Sequence, residues 1–171
     1  MRPYVAFVRK LGTPDEPELA IGAVAEGDPP EIVLNTRQVE ELGLNEDFIR
    51  SAVDREVAAI EQRRRDYADV RPAAEFSGRT VIVVDDGVAT GMTMQAALRS
   101  IRRRGAVRVV AAAPVASREA VAMLLEEADD VVCLSAPRRF GSVGSFYRAF
   151  GQVSDADVVA LLKAATARRG G

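Results

Sequence analysis

The stretch Val81–Thr93, VIVVDDGVATGMT, constrains the fold of this chain more than any other part of its sequence. Four β-branched apolar residues without polar alternation predict a strand that is covered on both faces, as in a parallel sheet. Two adjacent carboxylates, Asp85 and Asp86, follow directly, and a loop of small residues then leads to a helix that we expect to begin at Thr93. The stretch therefore predicts an α/β unit with two carboxylates at the carboxyl end of a strand.

The loop of this unit has the composition of a binding site for a phosphorylated sugar. Ligands of open α/β sheets bind beyond the carboxyl ends of the strands. Gly87 and Gly91 let the backbone approach a ligand closely, and Thr90 and Thr93 add hydroxyl donors. Free N–H groups at the start of the next helix favour an anion. The pattern indicates a ligand with vicinal hydroxyls and a phosphate, and the alternative is an ordinary strand–loop–helix turn with two solvated aspartates.

The order of apolar run, Asp-Asp, short loop, Thr-Gly-x-Thr and helix resembles the signature with which type I phosphoribosyltransferases bind 5-phosphoribosyl 1-pyrophosphate (PRPP). The resemblance covers every position of Val81–Thr93. It implies that Asp85 and Asp86 hold the ribose hydroxyls, and that backbone amides and two threonine hydroxyls surround the 5′-phosphate. The residues that it implies for this phosphate loop are Gly87, Ala89, Thr90, Gly91, Met92 and Thr93.

Outside the signature, VRKLGTPDEPELAIGAVAEG and FGSVGSFYRAFGQVSD resemble a bacterial group of phosphoribosyltransferases of unassigned substrate. Members of that group begin with a helix, a strand and a glycine-containing loop before the segment that resembles Tyr4–Lys10, and the loop supplies amides to the pyrophosphate. We therefore expect a chain that begins at Met1 to lack a central strand and half of the pyrophosphate site. The lost strand would leave a sheet edge that must be paired or covered. A truncated start and a lost or reworked activity both remain open.

A basic pair, Arg9-Lys10, follows the apolar run Tyr4–Val8, which we expect to be a strand. The next residues, Leu11–Pro17, contain a glycine and two prolines and are expected to form a loop. The resemblance implies that the basic pair meets the pyrophosphate and that the loop closes over the reacting centre, which would exclude water. The alternative is a solvated basic pair at the end of a strand.

The remaining patterns predict a single α/β domain over residues 1–171. Apolar runs at 19–25 and 31–34 indicate strands of an N-terminal antiparallel excursion, and Asn35 and Asn45 are candidate caps of the two helices that follow. After Val81, strands alternate with helical stripes, which predicts a parallel sheet flanked by helices. In this pattern Pro114 should end the strand that begins at Val107.

The segment 137–153 is a candidate C-terminal cap or hood, because glycines interrupt it and aromatic residues cluster in it. Acceptors of the family are bound by a variable hood, so Phe146 and Tyr147 are candidates for stacking on a base. The alternative is that these rings only cover the edge of the sheet. Ser154 and Asp157 resemble a capping box for a last helix that reaches about Ala167, beyond which residues 168–171 should fray.

Composition excludes several other classes of protein. The net charge of −2 gives no electrostatic footprint for nucleic acid. The absence of histidine argues against zinc and histidine-based catalysis, and Cys133 is interpreted as a core thiol in a reducing compartment. No apolar run approaches the roughly 18 residues of a membrane helix. We expect a soluble cytoplasmic protein without nucleic-acid or membrane partners, and a homo-oligomer remains open.

The leading interpretation is transfer of a 5-phosphoribosyl group from PRPP to a nitrogenous base, with release of pyrophosphate. Mg²⁺ would bridge pyrophosphate oxygens and ribose hydroxyls, without direct protein ligands, because it prefers substrate oxygens and retained waters. Arg9 and Lys10 would offset charge on the leaving group. One alternative is a non-catalytic domain that binds PRPP or a nucleotide. Another is a hydrolase that uses the Asp pair, although adjacent strand residues point to opposite faces and flank one bond poorly.

Overall fold

The structure is a computed structural model that describes residues 3–13, 19–70 and 74–167. Residues 14–18, which include most of the loop predicted at Leu11–Pro17, lie outside the described residues. Residues 168–171, for which fraying was predicted, also lie outside them.

The N-terminal half forms an antiparallel sheet of three strands followed by two helices. These elements are β1 (Val8–Gly12), β2 (Ala20–Ala25), β3 (Glu31–Leu34), α1 (Thr36–Glu41) and α2 (Glu46–Asp66). The strands pair in the order β1-β2-β3. Both predicted caps are confirmed, because the side chains of Asn35 and Asn45 accept hydrogen bonds from the amides of Gln38 and Phe48.

The C-terminal half forms a parallel sheet with the order β4-β5-β6. Its elements are β4 (Thr80–Val84), α3 (Met92–Arg103), β5 (Arg108–Val115), α4 (Arg118–Glu127), β6 (Asp130–Ser135), a short 3₁₀ turn (Val143–Phe146) and α5 (Asp155–Ala167). The predicted α/β class is confirmed, with a parallel sheet flanked by helices and an antiparallel N-terminal excursion. No helix in the described part of the chain is both long and apolar enough to cross a bilayer.

Helix α3 packs against both sheets. Met94, Leu98 and Ile101 belong to the buried cluster of the parallel sheet. Ala96, which is fully buried, packs instead with side chains of β2 and β3, where its small size allows the strands to approach the helix. Because α3 packs against both sheets, its first turn has a fixed position relative to both of them.

A cleft of about 2270 Å³ separates β1 from β4. Within the described ranges, no strand pairs with the outer edge of either β1 or β4, so the sheet edge that the resemblance implied is present at β4. Buried side chains of α3, among them Ala97, line the cleft as well. The cleft therefore runs between the two sheets and ends beside the residues that follow β4.

The prediction that β4 is covered on both faces is wrong. Val81 and Val83 pack on the buried cluster beneath the sheet, but Ile82 and Val84 are 49% and 73% exposed on the opposite face. Strand β6 alternates in the same way, with Leu134 82% exposed. The physical reason is that α3 and α4 belong to the same buried cluster and so cover the same face of this sheet.

Two predicted strand boundaries also differ from the structure. The first strand comprises Val8–Gly12 rather than Tyr4–Val8, so the basic pair lies within it. Pro114 lies inside β5 instead of ending it. Strand β4 ends at Val84, opposite Ala112, so β5 has no strand neighbour on that side when it reaches Pro114, and the missing N–H interrupts no ladder there.

The last helix returns to the N-terminal half of the chain. Ser154 and Asp157 form the predicted capping box, in which each side chain bonds to the backbone amide of the other residue. Leu162 of α5 is buried with Ile60 and Tyr67 of the α2 region. The segment between β6 and α5 therefore crosses from the parallel sheet to the helical layer beside the antiparallel sheet.

Candidate functional site

The carboxylate turn, Asp85–Gly87, begins where β4 ends. The Asp85 amide still donates to Ala112 O of β5 at 3.1 Å, which continues the ladder by one residue. The Asp85 carboxylate then accepts the amide of Asp86 at 3.0 Å. The Asp86 carboxylate is exposed and has no ion-pair partner among the described residues. The turn therefore places two carboxylates at the carboxyl end of β4, where they were predicted.

The loop after this turn is held by hydrogen bonds to the junction between β5 and α4. Val88 donates to Val115 O at 2.9 Å and accepts from the amide of Ser117 at the same distance. The buried Ser117 hydroxyl also donates to Ala89 O at 2.6 Å. The same hydroxyl accepts the Ala120 amide at 3.0 Å and so caps α4. Its contact with the loop carries no sequence signal, because it depends on how two separate segments meet.

The start of α3 presents free hydrogen-bond donors. Gly91 is the cap residue, with φ of +83°, and α3 begins at Met92, one residue before the predicted start. The five amides of residues 89–93 donate to no acceptor in the described part of the chain. The Thr90 hydroxyl is exposed and that of Thr93 half-buried. Unpaired amides and hydroxyls at the first turn of a helix form a binding site for an anion.

Protein neighbours fill the positions where the two loop glycines would carry a side chain. A Cβ at Gly87 would lie 2.5 Å from Val143 Cγ1 and 3.1 Å from Val115 Cγ1. A Cβ at Gly91 would meet the terminal methyl of Met123, and its positive φ already disfavours other residues. Gly87 is therefore required by the packing of the loop and Gly91 by its backbone conformation, and the packing reason was not available from the sequence.

The two residues of the basic pair have different environments. Lys10 is exposed, has no ion-pair partner in the described ranges, and its charge acts on Asp85. Arg9 points to α2, where its Nε lies 3.0 Å from Glu56 Oε2. Both residues line the cleft, and of the two it is Lys10 whose charge lowers the pKa of Asp85.

Burial between the walls of the cleft raises the pKa of the Asp85 carboxyl, although the side chain keeps contact with solvent. Repulsion from Asp86 raises this pKa further, whereas the hydrogen bond from the Asp86 amide and the charge of Lys10 lower it. The free protein therefore holds the ionised carboxylate less favourably than water does. A hydroxyl-bearing ligand would supply the donors that this carboxylate lacks.

The aromatic residues of the C-terminal segment form two ring pairs, Phe140 with Phe146 and Tyr147 with Phe150. Phe150 lines the cleft, as does Val143, whereas Phe146 and Tyr147 do not. The predicted candidates for base stacking are therefore not the residues that the structure places on the cleft wall. Sequence spacing gave no means to distinguish the ring that faces the cleft from its neighbours.

A strand end with two carboxylates, followed by a loop and a helix start with free donors, is the arrangement that α/β proteins use for phosphorylated, hydroxyl-bearing ligands. The chain belongs to the family of the phosphoribosyl transferase domain, whose family model matches residues 32–148. The resemblance to type I phosphoribosyltransferases is thereby confirmed.

Relatives and a solved structure agree with this assignment. Sequences from two strains of Mycobacterium tuberculosis, both named "Putative phosphoribosyl transferase", are 39% identical over 158 residues, which are 92% of this chain and 35% of each relative. The chain thus spans about a third of the length of these curated relatives. The crystal structure of TT1426 from Thermus thermophilus is 43% identical, has a TM-score of 0.74, and is matched over 94% of this chain and 75% of that one.

We predict that Gly87→Ala destabilises the protein by about 1–3 kcal/mol, because the added methyl group overlaps two branched side chains that cannot easily move aside. The measurement is chemical denaturation of the variant and the wild type. Gly141→Ala is the matched control, since its new methyl group would approach only Ser145 Oγ, at 3.8 Å. Equal stability of the Gly87 variant and the wild type would contradict the packing described for this turn.

We also predict that the Asp85 carboxyl titrates above the usual range of aspartate when it is followed by ¹³C NMR. Asp86→Asn should lower this pKa and Lys10→Gln should raise it, because each removes one of its electrostatic causes. Asp129 is an internal control, since bonds from the Val109 amide and Arg102 lower its pKa. A raised pKa means that the folded state binds the proton more tightly, so stability falls as pH rises between the ordinary pKa of aspartate and that of Asp85. A titration midpoint in the usual range would contradict the assignment.

Proposed function

We propose that this protein transfers the 5-phosphoribosyl group of PRPP to a nitrogenous base and releases pyrophosphate. The observation that carries the proposal is the continuous unit from Asp85 to Thr93. In it, two carboxylates and a set of free amides are held on one short, fixed loop. A phosphorylated pentose has hydroxyls at one end and a phosphate at the other, so both ends would find complementary groups on the same loop.

At the ribose end, Asp85 and Asp86 would accept hydrogen bonds from the vicinal hydroxyls. Charge-assisted bonds of this kind are stronger than those between neutral groups. The raised pKa of Asp85 supports this role, because a partly desolvated carboxylate gains more from a hydroxyl donor. The two negative charges would also favour positive charge that develops at C1 as pyrophosphate leaves.

At the phosphate end, the amides of residues 89–93 and the hydroxyls of Thr90 and Thr93 would surround the 5′-phosphate. These amides have no acceptor in the described part of the chain, so binding a phosphate would cost no internal hydrogen bond. The positive end of the α3 dipole would add to the attraction. These contacts with the 5′-phosphate would fix the position of the sugar relative to the carboxylates.

The leaving pyrophosphate would lie toward β1, where Lys10 is an unpaired cation near Asp85. Arg9 is held by Glu56 and would have to leave that partner or share it with the anion. The charge of Lys10 would offset charge that accumulates on the pyrophosphate oxygens in the transition state.

We further propose Mg²⁺ as the ion that accompanies PRPP. The described residues contain no group of three or more His, Cys, Asp or Glu side chains placed to hold a metal, so its ligands would be substrate oxygens and waters. The two exposed carboxylates fit this arrangement, because they are hard oxygen donors that can orient hydroxyls or waters around the ion. When bound, Mg²⁺ would neutralise charge on the pyrophosphate.

A second candidate function is binding of PRPP or a nucleotide without turnover. The observation that favours it is the small number of free cationic side chains near the carboxylate turn. Lys10 is the one described cation whose charge acts on Asp85, while Arg9 is partly neutralised by Glu56. A site with few free cations would bind the sugar phosphate but stabilise a departing pyrophosphate less well.

We predict that Asp85→Asn combined with Asp86→Asn weakens PRPP binding at least about tenfold, since charge-assisted hydrogen bonds contribute roughly 1.5–3 kcal/mol each. The measurement is calorimetry with PRPP and Mg²⁺. The matched control is Asp129→Asn with Asp130→Asn, which removes the same charge from an adjacent pair at the other end of a strand. Unchanged affinity in the first double variant would show that the carboxylates do not hold the ribose.

We expect pyrophosphate release from PRPP to depend on the added base, and to be lost in the Asp85/Asp86 double variant. The assay covers purines, pyrimidines and their precursors in the presence of Mg²⁺, and it follows pyrophosphate with a coupled enzyme. Release with a particular base would support the transferase. Intact PRPP binding without release across the whole panel would favour binding without turnover.

A further inference from the structure

The segment between β6 and α5, residues 136–154, is called the strap here. It is held at both ends by elements that do not carry the carboxylates. At one end, Ser135 O accepts the amide of Ala116 at 3.1 Å. At the other end, Asp155 accepts the hydroxyl of Tyr67 at 2.7 Å and forms an ion pair with Arg63. The strap therefore has a defined path across the region beside the carboxylate turn.

Two residues of the strap contact the carboxylate turn directly. The Tyr147 hydroxyl donates to Asp86 O at 2.5 Å, although the two residues are 61 positions apart in the sequence. The side chain of Val143 occupies the space above Gly87. The hydrogen bond from Tyr147 holds the carbonyl of the Asp86–Gly87 peptide, and the side chain of Val143 packs against its Gly87 end.

The turn is thus fixed from two directions. The peptide unit before Asp86 is fixed by its own N–H, which donates to the Asp85 carboxylate at 3.0 Å. The peptide unit after Asp86 is fixed by its carbonyl, which accepts from Tyr147. Rotation of that second unit would change ψ of Asp86, and with it the direction of the carboxylates relative to the loop that follows. The Tyr147 bond would have to break for this rotation to occur.

Tyr147 is not among the residues that line the cleft. Its ring packs against Phe150, with centroids 5.2 Å apart and planes inclined by 39°, and it is Phe150 that lines the cleft. Its hydroxyl is already used by Asp86 O. The contact that the structure gives Tyr147 with the carboxylate turn is therefore made through the backbone of Asp86.

We propose that Tyr147 is a positioning residue, whose hydroxyl holds the Asp86–Gly87 peptide so that both carboxylates face the ribose hydroxyls of the ligand. The proposal rests on the proposed function, since it assumes that these carboxylates bind a sugar. It assigns to the strap a part in ribose recognition in addition to any contact with the acceptor.

The test compares two probes, ribose 5-phosphate and inorganic phosphate, which are titrated into ¹⁵N-labelled protein and followed by NMR. Both probes use the amides at the start of α3, but only the sugar phosphate uses the carboxylates. Tyr147→Phe removes one hydroxyl and leaves the ring in place. We expect it to weaken ribose 5-phosphate binding about fivefold, which corresponds to the loss of one hydrogen bond. Binding of inorganic phosphate should remain unchanged.

Tyr67→Phe is the matched control, because it also removes one hydroxyl that anchors the strap, at a site remote from the turn. It should change neither affinity, and thermal denaturation of both variants will show that each is folded. The proposal is overturned if Tyr147→Phe leaves ribose 5-phosphate binding unchanged, or if it weakens both probes equally, as a general loosening would. Failure of the proposed function is a separate outcome, visible in the wild type as equal affinity for the two probes.

Discussion

The packing of α3 against both sheets is the constraint on which the rest of this structure depends. The buried face of this helix is shared between a cluster under β4 and β5 and a cluster under β2 and β3. Its first turn also carries the free amides of the candidate phosphate site. Because interiors are close-packed, a shift of α3 would disturb both clusters at once. The core packing of α3 therefore fixes the position of the helix start, which lines the cleft.

At the carboxylate turn, the stability of the fold and the proposed ligand binding make opposite demands. Burial in the cleft and the neighbouring Asp86 raise the pKa of Asp85, so the empty site carries a charge that the fold alone does not favour. The surrounding structure compensates by fixing the backbone through β5, Ser117 and the strap. Preorganised binding sites commonly show this pattern, because their charged groups are positioned to interact with the ligand and not to stabilise the free protein.

The cleft between the sheets connects features that are distant in the chain. Lys10 reaches it from β1, the carboxylates from the end of β4, and Phe150 from the strap. The strap joins the parallel sheet to the helical layer through Tyr67 and Arg63. Leaving group, sugar and acceptor would thus be contacted by three separate parts of the molecule, which the tertiary structure brings together.

The sequence by itself determined the local unit. The stretch Val81–Thr93 contains the strand, the Asp85-Asp86 pair, the small-residue loop and the helix start without interruption. Each part follows from local chemistry, namely the β-branched residues of the strand, the glycines of the loop and the free amides of the helix start. The caps at Asn35 and Asn45 were predictable for the same reason. Tertiary structure alone decided the rest, because contacts between remote segments leave no local pattern. It placed Ser117 and Tyr147 against the loop, turned Arg9 toward Glu56 and left one face of β4 uncovered.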